Sequence, residues 1–213
     1  DNLLRFRQDV LPTLPVEHVF YEDKDNKNSL KQIQQMQKHD DYFGQLFQGR
    51  FKNLAEVLMG SAVGQNMQYF NKPPLIGKPT PPHQDGYYFM LSPCEAVTMW
   101  LALDDVDEEN GCVRYVRGSN HWGMRDHRRT KVLGFSQGIV DYGTPQDLEH
   151  EVAFPAQPGD LLVHHALTIH RADGNRSPDR NRQAMGFIYY SEDAKIDEDA
   201  HALLAASTAL RAA

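Results

Sequence analysis

The chain has 213 residues, 40% of them hydrophobic and 10% aromatic, which suits one globular domain with a sizeable core. Its 22 basic and 29 acidic side chains leave a formal charge of -7, which argues against nucleic acid as a partner. No apolar run approaches the length of a membrane span and no signal-peptide pattern opens the chain, so no membrane association and a cytoplasmic location are expected. The two cysteines, Cys94 and Cys112, match no zinc spacing and are expected to be free thiols.

The first 63 residues read as mostly helical support. Ser29 is a capping-type residue, and Leu30, Ile33 and Met36 follow at near-helical spacing, which predicts a helix there. Tyr42-Phe43 with Leu46-Phe47, and Leu54-Ala55 with Val57-Leu58, extend apolar stripes suited to packing against a sheet until Gly60 stops them. His18 and His39 are expected to be ordinary exposed residues.

From Gly64 the pattern changes to short strands divided by Gly, Pro and Asp turns. In Pro81-Pro82-His83-Gln84-Asp85-Gly86 an imidazole and a carboxylate stand two residues apart, so in extended chain His83 and Asp85 share a face and Gln84 turns away. Val97 to Leu103 alternates, with Val97, Met99, Leu101 and Leu103 on one face and Thr98, Trp100 and Ala102 on the other. One face is expected in the core and the other on a cavity. The acidic run 104–111 lacks the ligand spacing of a calcium loop and reads as a solvated turn.

Residues 121–131 form the one concentrated positive region. A solvated loop is the plain expectation; the sharper one is a lid whose Arg128 and Arg129 attract an anionic group on a substrate. The apolar run 160–170, opened by Pro158-Gly159, ends on His170. Strand alternation lets only one of His164 and His165 face inward, where a structural or supporting contact is expected. Two imidazoles and a carboxylate, His83, Asp85 and His170, occupy one face of a metal and leave the opposite positions open, as suits a non-haem Fe(II) oxygenase. Arg182, in another strand-like run, has the fork needed to hold the far carboxylate of a dicarboxylic co-substrate.

Short strands after a helical start predict a mainly β (α+β) fold, a jelly-roll or cupin-like double-stranded β-helix with flanking N-terminal helices. The expected organisation is one domain over 1–213, with helical support over 1–63, the jelly-roll core over 64–191 and a C-terminal helical segment over 192–213.

These blocks together resemble the phytanoyl-CoA dioxygenase family of Fe(II)/2-oxoglutarate oxygenases. The resemblance runs from about Gln65 to Ser191 through Gln65 to Pro74, His83-Gln84-Asp85, Trp100 to Asp105, Glu109 to Cys112, Arg117 to His121, and His170, Asn175, Ser177 and Arg182-Gln183-Ala184. It implies Fe(II) held by His83, Asp85 and His170, with 2-oxoglutarate paired to Arg182 and further contacts from Gln65, Thr80 and Trp100. O2 would then be consumed to hydroxylate a C–H bond of a small organic substrate, releasing succinate and carbon dioxide. Asp85 stands where related halogenases lose the carboxylate, which points to hydroxylation.

Two departures mark this chain. Ala172 occupies the place of a serine that commonly helps bind 2-oxoglutarate, and the co-substrate arginine comes one residue late. Arg180 therefore competes with Arg182, which is preferred because Gln183-Ala184 follows it. Two other readings remain: a non-catalytic cupin-like binding module, which would need no Arg182, and zinc-dependent hydrolysis, for which the sequence places no additional general base.

Overall fold

The computed structural model describes residues 1–132 and 135–198. Fourteen strands are described: β1 (Val19–Tyr21), β2 (Leu30–Ile33), β3 (Val63–Lys72), β4 (Thr80–His83), β5 (Leu91–Ser92), β6 (Ala96–Ala102), β7 (Val113–Val116), β8 (His127–Val132), β9 (Phe135–Ile139), β10 (Glu151–Phe154), β11 (Leu161–His165), β12 (His170–Ala172), β13 (Arg182–Tyr190) and β14 (Lys195–Ile196). The α-helices are short: α1 (Asn2–Arg5), α2 (Asp41–Leu46), α3 (Lys52–Met59), α4 (Gly86–Phe89) and α5 (Pro145–His150).

A six-stranded sheet runs in the order β1-β2-β3-β13-β6-β11, and a four-stranded sheet in the order β10-β7-β12-β4. All of these pairings are antiparallel. Side chains of both sheets line one cavity between them, the arrangement of a jelly roll. Two further two-stranded antiparallel sheets, β5 with β14 and the hairpin β8–β9, lie outside the sandwich sheets.

Strand alternation explains how the larger sheet serves a core and a cavity at once. On β13, Met185, Phe187 and Tyr189 enter the core beneath the N-terminal segment, whereas Gly186 and Ile188 line the cavity. Val97 and Met99 of β6 belong to the same core, while Thr98 and Trp100 face the cavity, as the sequence pattern predicts. Phe43, Phe47 and Phe51 recur every fourth residue and belong to the same core. Phe47 stacks on Tyr189 with ring centroids 4.8 Å apart, and Phe51 on Phe187 at 3.8 Å. Each buried aromatic side chain is worth about 1.5–3 kcal/mol, more than the ~1 kcal/mol that a glycine costs inside a helix. The chain therefore tolerates the break at Gly49, between α2 and α3.

Several expectations are corrected. The helix predicted from Ser29 does not form: a short 3-10 turn over Lys27–Ser29 leads into strand β2. The Ser29 hydroxyl bonds the main chain of Asp23 and Asn26, and β2 adds to the edge of β3, so pairing with a distant strand overrides local spacing. The N-terminal part thus supplies β1 and β2 to the main sheet as well as helices. Val57 and Leu58 are exposed, at 82% and 53%, because α3 buries only the stripe carrying Ala55. His18 and His39 touch each other, Nδ1 to Nε2, at 3.2 Å. Of the expected C-terminal helical segment, residues 195–196 are strand, and 199–213 lie outside the described residues.

The basic stretch is no simple loop either, since β8 begins at His127 and pairs with β9. Arg125 is bound to Asp141 at 2.6 Å and to Asp147 at 2.7 Å. The acidic run is a turn, as expected, folded around the fully buried Asn110, whose amide donates to the carbonyls of Asp105 and Asn181. Cys94 and Cys112 are free thiols, and burial pushes both pKa values up, that of Cys94 to about 11.

Candidate metal centre

The antiparallel pair β4–β12 sets His83 directly opposite His170. Asp85 does not continue the strand as the i, i+2 reading requires. It adopts helical φ/ψ at the start of α4, and Gly86 behind it packs so closely that a Cβ there would meet Cys94 Sγ at 2.5 Å. The turn still delivers the carboxylate: Asp85 Oδ1 lies 3.4 Å from His83 Nε2 and 3.6 Å from His170 Nε2. One donor atom from each of the three residues falls within 4.8 Å of the others.

Main-chain contacts fix the tautomers. His83 Nδ1 is 2.8 Å from the carbonyl of Pro81 and His170 Nδ1 is 3.0 Å from that of Thr168. A carbonyl only accepts, so both Nδ1 atoms carry the proton and both Nε2 lone pairs point into the cluster. Burial, together with the neighbouring imidazoles His83 and His164, holds the His170 pKa well below its ordinary value. Burial opposes ionisation of Asp85, but the neighbouring histidines His170, His164 and His83 outweigh it and hold the carboxyl well below the usual range. Neutral imidazole and ionised carboxylate are the forms that ligate a divalent cation.

The second oxygen of Asp85 is already engaged. Oδ2 accepts from Thr98 Oγ1 at 2.6 Å and from His164 Nε2 at 3.1 Å, and His164 Nδ1 is 3.0 Å from the Tyr115 hydroxyl. His164 is therefore the inward member of its pair, while His165 reaches Glu95 at 3.3 Å on the other side of the strand. Strand alternation signals one inward histidine; nothing local signals its contact with Asp85.

Gln84 turns away, as expected, and is wholly buried. Its amide donates to the carbonyls of Gly123 and Leu167 and accepts from Arg125 N–H, while its own N–H donates to His127 Nε2. The peptide between the two cluster residues of this segment is thereby sewn to two loops.

The cluster opens into a cavity of about 390 Å³ whose lining includes Gln65, Thr80, Trp100 and Arg182, so all of the expected co-substrate residues meet here. Arg182 is 5% exposed, and its Cζ lies 5.4 Å from the Trp100 ring centroid. Its Nε has no hydrogen-bond partner, and no carboxylate among the described residues pairs with it. Burial pushes its pKa down to about 10, so it stays cationic at neutral pH. A buried charge without a counter-ion is costly, which marks this end of the cavity as fitted to an anion.

Arg180 is otherwise occupied, by Asp107 at 2.8 Å and Glu109 at 2.6 Å. Thr80 is the register partner of Ala172, and both side chains line the cavity. Gln65 sits at its rim, with a long contact of 3.4 Å from Nε2 to the carbonyl of Val63. Lys31 and Lys72 were missed by the sequence reading and also line the cavity. Lys72 is the register partner of Arg182 and donates to the carbonyls of Lys78 and Asp173; Lys31 approaches Glu22 at 3.4 Å. No local pattern distinguishes these lysines from surface ones.

The family model for phytanoyl-CoA dioxygenase (PhyH) matches residues 13–184. The chain is 35% identical over 118 residues to phytanoyl-CoA dioxygenase 1 of Oryza sativa subsp. japonica, covering 55% of this chain and 41% of that protein. It is 28% identical over 172 residues to the peroxisomal phytanoyl-CoA dioxygenase of Rattus norvegicus, covering 76% of this chain and 50% of that protein. The chain thus spans half or less of the length of these curated relatives. Among solved structures, the epimerase SnoN in complex with Fe3+, alpha ketoglutarate and nogalamycin RO superposes with a TM-score of 0.69 at 25% identity, covering 92% of this chain and 75% of that one.

Proposed function

The chain belongs to the phytanoyl-CoA dioxygenase family, and from that premise we propose that it is an Fe(II)- and 2-oxoglutarate-dependent oxygenase that hydroxylates an unactivated C–H bond of a small organic substrate. The observation that carries the reading is the conjunction, in one cavity, of a two-histidine, one-aspartate cluster and a buried arginine without a counter-ion.

In this reading Fe(II) is held by His83 Nε2, His170 Nε2 and Asp85 Oδ1. When bound, the metal supplies O2 activation coupled to conversion of 2-oxoglutarate into succinate and carbon dioxide, with one oxygen atom delivered to the substrate. His164 and Thr98 engage Asp85 Oδ2 and leave Oδ1 as the one carboxylate oxygen that would hold the ion. Arg182 pairs with the distal carboxylate of 2-oxoglutarate, and Trp100 packs beside the guanidinium. Thr80 and Gln65 belong to the same lining. A non-catalytic binding module would leave Arg182 buried without purpose, and that favours turnover.

The test is anaerobic titration with Fe(II) and 2-oxoglutarate. A weak visible charge-transfer band is expected, absent in His83→Ala and Asp85→Ala, together with oxygen-dependent succinate release. A folded protein with all three side chains intact that never develops the band refutes the reading.

A further inference from the structure

The cavity has a second end, and its chemistry differs from that around Arg182. Across the larger sheet, Asn66, Ile188, Thr98 and His164 are successive register partners, and Thr98 and His164 hold Asp85. Asn66 therefore stands level with the metal cluster. Arg182 lies six residues back along β13, opposite Lys72, so the co-substrate end is on one side of this row. Gln65 lies beyond this row and Gln35 beside it, with its N–H on Asn66; Gln34, next after Ile33 of β2, stands slightly nearer the Arg182 end, and Tyr88 and Tyr190 belong to the same lining.

None of these six side chains carries a formal charge. Burial pushes the Tyr88 phenol up to about 12 and that of Tyr190 higher still, so both stay protonated.

The amides are held in place. Gln35 adopts a left-handed conformation with φ of 59°, its N–H donates to Asn66 Oδ1 at 2.9 Å, and its Oε1 accepts from Gln37 Nε2 at 3.0 Å. With Oδ1 so engaged, Asn66 Nδ2 has no partner among the described residues, nor has the Gln34 amide. Such a surface offers donors and acceptors side by side without charge, and shares the lining with aromatic rings that have apolar faces. Vicinal hydroxyls match paired amide donors and acceptors, and the C–H face of a saturated ring matches an aromatic face. A branched acyl chain would leave the amides buried and unpaired, at about 1–3 kcal/mol for each group.

We infer that this end of the cavity binds a neutral polyhydroxylated ring, such as the sugar of a glycoside, as the primary substrate. The inference rests on the oxygenase reading only for the direction from which substrate meets the metal. It replaces the expectation of an anionic substrate drawn in by Arg128 and Arg129, neither of which lines the cavity.

Calorimetric titration of the metal-free protein tests it with three probes, the 4-nitrophenyl β-glucoside, β-galactoside and α-rhamnoside, with their 2-deoxy counterparts and decanoyl-CoA for comparison. At least one glycoside is expected to bind with a Kd of about 1 mM or tighter, and its 2-deoxy form about tenfold more weakly. Asn66→Leu is expected to weaken binding about tenfold. Gln34→Leu, which removes no contact within the protein, is expected to do the same with an unchanged thermal midpoint. Absence of binding by all three glycosides, equal affinity for the deoxy forms, or preference for decanoyl-CoA overturns the proposal. The Fe(II)–2-oxoglutarate band, recorded in parallel without glycoside, reports separately on the oxygenase reading.

Discussion

Asp85 is held by His164 through one carboxylate oxygen and left free at the other: His164 Nε2 lies 3.1 Å from Oδ2, while Oδ1 faces His83 and His170. A carboxylate so restrained presents one oxygen in one direction, and the imidazole is itself steadied by the Tyr115 hydroxyl.

His164→Phe keeps the bulk but removes the hydrogen bond, and Fe(II) affinity is expected to fall about 10- to 100-fold. Anaerobic Fe(II) titration reads the loss, and a displaced charge-transfer band separates altered geometry from general unfolding. His164→Asn, which retains a donor, is expected to recover part of the affinity. Unchanged affinity and band position in His164→Phe would remove the positioning argument.

Replacing Arg182 separates stability from binding. In the ligand-free protein Arg182→Met is expected to raise stability, by about 1 kcal/mol or more, because a buried unpaired cation gives way to an apolar side chain. The same variant is expected to lose the thermal protection that 2-oxoglutarate gives the wild type, about 2.7 kcal/mol at a hundredfold excess over Kd. Denaturant unfolding with and without 2-oxoglutarate measures both, and a variant that is less stable yet still protected contradicts the assignment.

Acid sensitivity should centre in part on Asp147, which caps α5. Its carboxylate accepts from the N–H groups of Gly143 and Thr144 and pairs with Arg125. Burial opposes ionisation, yet these hydrogen bonds lower the folded-state pKa. The resulting stability is fully present above the unfolded carboxylate value of about 3.9 and is lost as pH falls through the folded value. Asp147→Asn is expected to cost about 3 kcal/mol at pH 7, since it leaves Arg125 with an exposed partner only, and to flatten the acid limb below pH 4. Urea unfolding at pH 7 and at pH 3 checks the sign.

Gly186 has no room for a side chain, because a Cβ would lie 2.7 Å from Phe70 Cε2. Gly186→Ala is expected to destabilise by about 1–3 kcal/mol through overpacking, and Phe70→Leu to relieve most of that cost. The double-mutant cycle gives the coupling, and strictly additive effects would place the clash elsewhere.

Much of the site was legible because its chemistry is local. His83 and Asp85 stand two residues apart, His170 closes an apolar run, and Arg182 opens another. What the sequence could not convey depends on distant chain. Leu30, Ile33 and Met36 have helical spacing, yet β2 is a strand because β3 offers it an edge. Asp85 reaches its partners from a helical turn rather than a strand, a substitution of backbone shape that i, i+2 counting does not reveal. The choice between Arg180 and Arg182 turns on Asp107 and Glu109, which neutralise the first from 73 and 71 residues away in sequence.

The buried Gln84 has a consequence for how the protein can vary. Its hydrogen bonds yoke the residue between His83 and Asp85 to main-chain groups at 123, 125 and 167. Insertions or rotations in those outlying turns would displace His83 and Asp85 without altering either side chain. The outer loops nearest this cluster are thus the ones least at liberty to diversify, leaving the part of the cavity lining carried by Gln34 and Gln35 as the place where selectivity can be rewritten.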